Sequence, residues 1–497
     1  MSDRKVLLIG WDAADWKVAS PLMDKGEMPH LASLVERGVM GNLMTLQPDL
    51  SPMLWNSIAT GKRADKHGIH GFTKVDEATG KTRPFGTMDR KVKAVWNILH
   101  QEGRTPHVVN WFCGHPAEPI RGSDITELVI RQVMRNKDEG NRPELPRGGV
   151  FPDELRDEIA RLRVWPQDID AQTVQLFVPN YREVDQDKDR RLETIACQIA
   201  CVLTNHAITT WLMQNRPWDF IATYFGEIDH FGHGFMKYHP PRQAHVPEKD
   251  FELYHDVVNS GYRLHDLLLG RYLQLIDDDT TVILCSDHGF HPDHLRPRRV
   301  PRIPTGPAVE HRPVGVFAMA GPDIDEDELV HGATLLDIAP TVLTLFGLPV
   351  GEDMEGRVLT EAFKAPPRGE NHPELGDGRG RCRNAGRLEA AFRRRVGGLG
   401  SAVRGPGLHR SAGGQSRTGQ RRNGRRSEVE PGAGIPANGT LHPGPAPAGG
   451  GLRGVSVALR RRSPPGRMPV HDGFGRGRAR GGCELGRCLP EPPVGVD

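Results

Sequence analysis

Along the first 370 residues, short runs of consecutive apolar side chains alternate with longer stretches in which apolar side chains recur every three or four positions. Continuous short runs suit buried strands, and the longer period suits helices with one apolar face. The pattern predicts strands over Lys5–Ile9, Pro106–Phe112, Phe220–Phe225, Thr281–Cys285 and Val314–Ala320. It predicts helices over Met28–Glu36, Pro52–Thr60, Val92–Gln101, Leu192–Gln214, Asp250–Ile276 and Ala333–Phe346. Such alternation is the signature of an α/β domain, here a doubly wound, mostly parallel central sheet with helices on both faces. Residues 114–180 break the rhythm: they are rich in Pro, Arg and Asp, with one amphipathic helix over Pro152–Arg163, and read as an insertion lying over the sheet.

Composition changes the picture near residue 365. Residues 371–497 hold 29 Gly, 23 Arg and 13 Pro but no Lys, Trp or Tyr, too little apolar surface to offset the entropy of ordering a chain. The expected organisation is therefore a single domain over 1–365 and a disordered Gly/Arg/Pro-rich tail over 366–497. Lys and Ile, which have AT-rich codons, almost vanish where Gly, Arg and Pro, which have GC-rich codons, take over; an out-of-frame reading of a GC-rich gene from about codon 368 would give that bias. The formal charge of +2 splits into +14 for residues 371–497 and −12 for residues 1–370, so the near-neutral total says nothing about nucleic acid. Arg-Gly runs such as residues 473–482 can bind RNA, but Phe392 and Phe474 are the sole aromatic rings of the Phe, Tyr or Trp type in the tail, which leaves almost no stacking platform.

No apolar run approaches the roughly 20 residues of a spanning helix, and Val6–Ile9 is too short for the core of a signal peptide. Seven scattered Cys lack the spacing of a disulfide framework or paired zinc knuckles. The expectation is a soluble, cytoplasmic protein with no membrane partner. The sequence leaves its oligomeric state open.

Three predicted strands end in metal-ligand chemistry: Asp12 after the first, Asp229 with His233 after the Phe220 strand, and Asp287 with His288 after the Thr281 strand. Open α/β sheets bind ligands at the carboxyl ends of their strands, and carboxylates with imidazoles suit zinc or a similar divalent ion. Singly, an Asp after a strand is more often a turn former and a His a solvated surface residue. Together they would bury uncompensated charge at a cost of several kcal/mol unless a cation were present. The nucleophile candidate is Ser51, expected at the N-cap of the helix beginning at Pro52, where backbone N–H groups and the helix dipole favour a phosphate and a developing alkoxide.

The string from Ser51 through Thr60-Gly61 to His67-Gly68-Ile69 resembles the nucleophile segment of the type I phosphodiesterase and nucleotide pyrophosphatase branch of the alkaline phosphatase superfamily. In that branch a Thr or Ser nine residues before the Thr of a Thr-Gly pair attacks phosphorus, and Ser51 stands nine before Thr60. Asp12, Asp229 with His233, and Asp287 with His288 follow in the family's order. The resemblance implies two divalent ions, zinc foremost. One would be held by Asp229, His233 and a later His; the other by Asp12, Asp287, His288 and the oxygen of Ser51. His291, His294, His311 and His331 are candidates for the later ligand, and His311 is preferred because it shortly precedes the Val314–Ala320 strand.

It further implies a small-molecule phosphate ester substrate, in-line attack and a phosphoseryl intermediate that water hydrolyses. A phosphate diester or pyrophosphate is expected, with a phosphomonoester or phosphotransfer as the alternative. One departure bears on substrate grip: Phe72 stands where the nucleotide pyrophosphatases carry an Asn 21 residues after the nucleophile. Pro52 and Trp55 also break the sulfatase pattern, in which the residue after the nucleophile is followed by Pro and, two further on, Arg.

Overall fold

In the computed structural model the described residues are 4–135, 142–303, 305–365 and 371–372. Strand β1 (Lys5–Trp11) buries both of its faces: Val6 and Leu8 point into one apolar core, Leu7, Ile9 and Trp11 into the other. A strand covered on both sides carries an unbroken apolar run. The remaining strands of the main sheet are β2 (Val39–Met44), β3 (Pro106–Val109), β4 (Ser123–Ile125), β5 (Val150–Phe151), β6 (Phe220–Phe225), β7 (Thr280–Cys285), β8 (Val314–Ala320) and β9 (Glu328–Val330). Their order is β9-β2-β8-β7-β1-β6-β3-β4-β5. The pairs β7-β1, β1-β6, β6-β3, β3-β4 and β9-β2 are parallel, whereas β8 runs antiparallel to both its neighbours and β5 to β4. The sheet is mostly parallel and doubly wound, as the pattern of the sequence predicts.

One face is covered by the helices Trp16–Asp24, Pro29–Glu36, Arg191–Asn215 and Val257–Leu275, the other by Ser51–Thr60, Val95–Gln101 and Ile338–Leu345. By length and composition Arg191–Asn215 could cross a membrane, but 67% of its most apolar window is buried inside the protein, the position of a core helix.

Several elements differ from expectation. The strand β2 was not predicted, its apolar residues being spaced by Gly41 and Asn42. Residues 114–180 do not simply lie over the sheet: β4 and β5 extend it at one edge, and a helix over Glu127–Arg135 packs beside them. The predicted helix Pro152–Arg163 is a 3₁₀ turn over Asp153–Leu155 followed by a short helix, Arg156–Arg161. The strand from Pro106 stops at Val109 because Asn110 takes a left-handed backbone (φ 62°) and bonds sideways, its Nδ2 donating to the Tyr224 carbonyl at 2.7 Å. The stretch Asp250–Ile276 is broken into Glu248–Tyr254 and Val257–Leu275, and Ala333–Phe346 begins as a 3₁₀ turn. Pairing of Val350–Gly351 with Asn371–His372 is the last element described. The expected tail over 366–497 otherwise lies outside the described residues.

Candidate metal centre and active site

Register brings the carboxyl ends of the three central strands level, Gly10 standing opposite both Tyr224 and Cys285. Asp12 therefore leaves β1 beside the turn after β6 and the Ser286-Asp287-His288 turn after β7. One of its oxygens is fully occupied: the Tyr224 hydroxyl donates to Oδ2 at 2.7 Å and Trp55 Nε1 donates to the same atom at 3.1 Å. The Trp55 ring reaches this position because residue 10 is Gly; a Cβ there would collide with it. Oδ1 has no hydrogen-bond partner and is buried.

Asp287 and His288 repeat the arrangement. The Ala13 N–H donates to Asp287 Oδ1 at 3.3 Å, leaving Oδ2 bare. The His288 Nδ1 donates to the Gly289 carbonyl at 3.0 Å, which leaves a lone pair on Nε2, 3.3 Å from Asp12 Oδ1 and 3.6 Å from Asp287 Oδ2. Ser286 fixes this turn by accepting from the Ala14 N–H and donating to the His288 carbonyl, each at 2.8 Å. Burial, with the neighbouring charges of Asp12 and Asp229, pushes the Asp287 carboxyl well above the usual carboxylate range. Acceptor atoms crowded together out of water are stabilised by a shared cation.

A second set of ligand atoms adjoins the first. Asp229 and His233 lie four apart on the helix Glu227–Phe235 and so share one face. His311 arrives on a two-strand ribbon, Gly289–Phe290 against His311–Arg312, that is tied to the first βα turn through Asp15. The Asp15 carboxylate accepts from the Phe290 N–H at 3.1 Å and pairs with Arg312. His233 Nε2 lies 3.1 Å from Asp229 Oδ1 and 3.2 Å from His311 Nε2, and the latter is 3.6 Å from Asp229 Oδ1. His233 Nδ1 donates to Glu310 Oε2 at 2.7 Å, the carboxylate–histidine contact that orients a metal-binding imidazole. Burial lowers the pKa of His233, but Asp229 and Glu310 outweigh it and raise it to about 10. The centre attracts positive charge.

The structure thus brings together Asp12, Asp287 and His288 in one cluster and Asp229, His233 and His311 in an adjoining one. Nitrogens of His288 and His311 also lie within 4.8 Å of Asp229 and of each other, and His288 belongs to both clusters. His294 and His331 are exposed, and His291 sits beside Asp293, 3.9 Å away. Ser51 corrects one expectation: Leu50 is the N-cap, Ser51 is the first residue of the helix Ser51–Thr60, and no side chain caps it. The serine hydroxyl is not spent on the helix. It lines, with Asp12 and Asp229, a cavity of about 290 Å³.

Other residues of the nucleophile segment are structural. The Ile69 N–H donates to His67 Nδ1 and His67 Nε2 lies 3.1 Å from Ser57 Oγ; burial depresses the imidazole pKa to about 3. Sequence reasoning missed Tyr224, Trp55 as a donor, Glu310, and the cavity wall that Asn110, Phe112, Glu127, Ile130, Arg131 and Glu227 form with Phe72. Tyr224 sits in an apolar run that reads as core, and Glu310 shows its role only through its neighbour His311.

Residues 6–300 match the family of type I phosphodiesterases and nucleotide pyrophosphatases. The chain belongs to that family. It is a hydrolase of the alkaline phosphatase superfamily, and two groups of its carboxylates and imidazoles could hold a metal ion. Among solved structures it is similar to a putative sulfatase from Bacteroides thetaiotaomicron (14% identity, 75% of this chain and 76% of that chain, TM-score 0.44). It is also similar to phosphonoacetate hydrolase from Sinorhizobium meliloti (16%, 58% and 57%, TM-score 0.35). A third is murine ectonucleotide pyrophosphatase / phosphodiesterase 5 (13%, 69% and 95%, TM-score 0.37).

Proposed function

We propose that this hydrolase cleaves phosphate diesters or pyrophosphates of small molecules with Ser51 as nucleophile and two divalent ions, zinc foremost, as cofactors. The observation that carries the reading is the set of buried atoms without hydrogen-bond partners, Asp12 Oδ1, Asp287 Oδ2, His288 Nε2 and Asp229 Oδ1, all turned to one place beside the Ser51 cavity. A donor set of three carboxylates and three imidazoles fits divalent cations. Asp12, Asp287 and His288, with the Ser51 oxygen, would hold one ion, and Asp229, His233 and His311 the other. When bound, the ions supply Lewis acidity for the serine hydroxyl and the leaving oxygen.

The chain's own residues do the rest. Ser51 Oγ forms a bond to phosphorus as the bond to the leaving oxygen breaks, and its proton leaves to solvent; water then attacks the phosphoserine and releases it as phosphate or a phosphate monoester. Tyr224 and Trp55 hold the Asp12 carboxylate so that one oxygen faces the centre, and Glu310 holds His233. A reducing cytoplasm is part of the proposal, and the buried thiols of Cys113, Cys201 and Cys285 suit it. The test is turnover by zinc-loaded protein of bis(p-nitrophenyl) phosphate against p-nitrophenyl phosphate. Faster cleavage of the diester is expected, and cleavage of the monoester alone would overturn the diester assignment in favour of a phosphomonoesterase.

A further inference from the structure

The cavity beside Ser51 has an unusual wall for a site that must take anions: Asp12, Asp229, Glu127 and Glu227 all line it, and Arg131 is the one Lys or Arg among the described lining residues. Arg131 and Glu127 stand four apart on the helix Glu127–Arg135, the spacing of an ion pair. Glu127 feels the charge of Arg131 without closing to an ion pair, its Oε2 accepting instead from the Gly114 N–H at 3.1 Å. Among the described residues no carboxylate oxygen lies within ion-pair distance of Arg131. What fixes the guanidinium is Phe112, whose ring centre is 4.9 Å away, a cation–π contact that holds the group in place without using its N–H donors. Phe112 in turn packs edge-on against Tyr224 and Phe72, with ring centres 5.7 and 6.0 Å apart. Tyr224 is the donor to Asp12, so the Arg131 platform is built directly onto the centre.

We propose that Arg131 selects the leaving group, binding a second oxyanion carried on it, a phosphate or a carboxylate, while Phe72, Phe112, Ile130 and Met134 contact its apolar part. The inference rests on the reading of the site as a phosphodiesterase centre and names the substrate class that reading leaves open. A guanidinium with free N–H donors binds either oxyanion through paired hydrogen bonds. The ions would offset Asp12 and Asp229, which leaves Glu127 and Glu227 as the acids of the wall and Arg131 as the lining cation that offsets them and favours a leaving group with its own negative charge. Arg131 acts on the far end of the substrate and takes no part in bond making at phosphorus.

The experiment compares three probes on the zinc-loaded full chain: bis(p-nitrophenyl) phosphate, whose leaving group is uncharged on its far side, bis(4-carboxyphenyl) phosphate, and P1,P2-diphenyl pyrophosphate. In Arg131→Gln the ratio of kcat/KM for the anionic probes to that for the first should fall about 10- to 100-fold, with the loss in KM. Arg131→Lys should recover part of it. The second and third probes separate a carboxylate from a phosphate as the group bound. An equal loss on all three would mean a merely structural role, and an unchanged ratio would mean no contact; either overturns the assignment. Should wild-type protein cleave none of the three, the phosphodiesterase reading fails on its own, and calorimetric binding of phenyl phosphate to wild type and Arg131→Gln still decides the role of Arg131, equal affinities ruling it out.

Discussion

The imidazole rings of His288 and His311 are stacked, with centres 3.8 Å apart and planes 14° from parallel. His288 is fixed by the turn after β7, and His311 by the ribbon that Asp15 anchors, so two chain segments 23 positions apart present ring nitrogens to adjoining sets of carboxylates. Neither set is independent of the other.

Substituting either histidine should therefore disturb more than one ion. Protein loaded with zinc is expected to hold two ions per chain, and His311→Ala to lose one outright and bind the second more weakly. Glu310→Gln, which keeps the histidine but loosens its orientation, should weaken metal binding about 10- to 100-fold. Metal analysis after dialysis against a graded chelator reads both. Two ions retained with unchanged affinity in His311→Ala would remove it from the centre.

Ser51→Ala should lower kcat on a diester by roughly 10³-fold or more, the scale seen when a nucleophile is removed. Its effect on folding should be below about 1 kcal/mol, the usual worth of an N-cap, because no side chain caps this helix. Denaturant unfolding beside the assay separates the two effects. Near-normal turnover would show that another group attacks phosphorus.

Tyr224→Phe removes one of the two donors to Asp12 Oδ2 and leaves the ring packing intact. A stability loss of about 1 kcal/mol is expected, with a larger effect on metal affinity, since the carboxylate becomes free to rotate. Zinc titration of the purified variant checks it; affinity equal to wild type would mean that Trp55 alone suffices to hold Asp12.

His265 offers a pH test away from the centre. It is buried between Trp11 and Phe225, and burial lowers its pKa to about 4 despite the bond from Nδ1 to the Gly261 carbonyl. The unfolded chain takes up a proton near pH 6.5 and the folded one does not, so this histidine contributes stability above pH 6.5 that is lost as pH falls toward 4. His265→Phe has no such dependence. Its stability relative to wild type should rise by up to about 1.4 kcal/mol per pH unit across that window, read as the difference between two urea midpoints at each pH. A difference that stays constant would place a protonated imidazole in the fold.

Strands buried on both faces were legible because an unbroken apolar run such as Val6–Ile9 has few other readings. Strands toward the two ends of the sheet were not: β2, β4 and β5 carry Gly, Asn, Asp or only two residues, and their pairing is decided by neighbours that the local pattern does not name. The ligand positions Asp12, Asp229 and Asp287 stood out because each interrupts or directly follows apolar sequence at a strand end. Ser51 was misplaced by one position, since Pro favours the first place of a helix and here takes the second. Residues that act by holding others, such as Trp55, Tyr224 and Glu310, leave no local pattern; a tryptophan that packs and a tryptophan that also donates a hydrogen bond to a carboxylate are spelled alike.

The Asp15 knot carries a consequence for how the protein comes into being. One carboxylate joins the turn after the first strand to a ribbon completed only at Arg312, so the centre's contributors are drawn from positions 12 to 312. A nascent polypeptide stalled before residue 311 would lack β8, which joins β2 to the rest of the sheet, and His311, the last of the six ligand residues. All six ligand residues and the contact that anchors their ribbon thus exist together only once synthesis has passed Arg312.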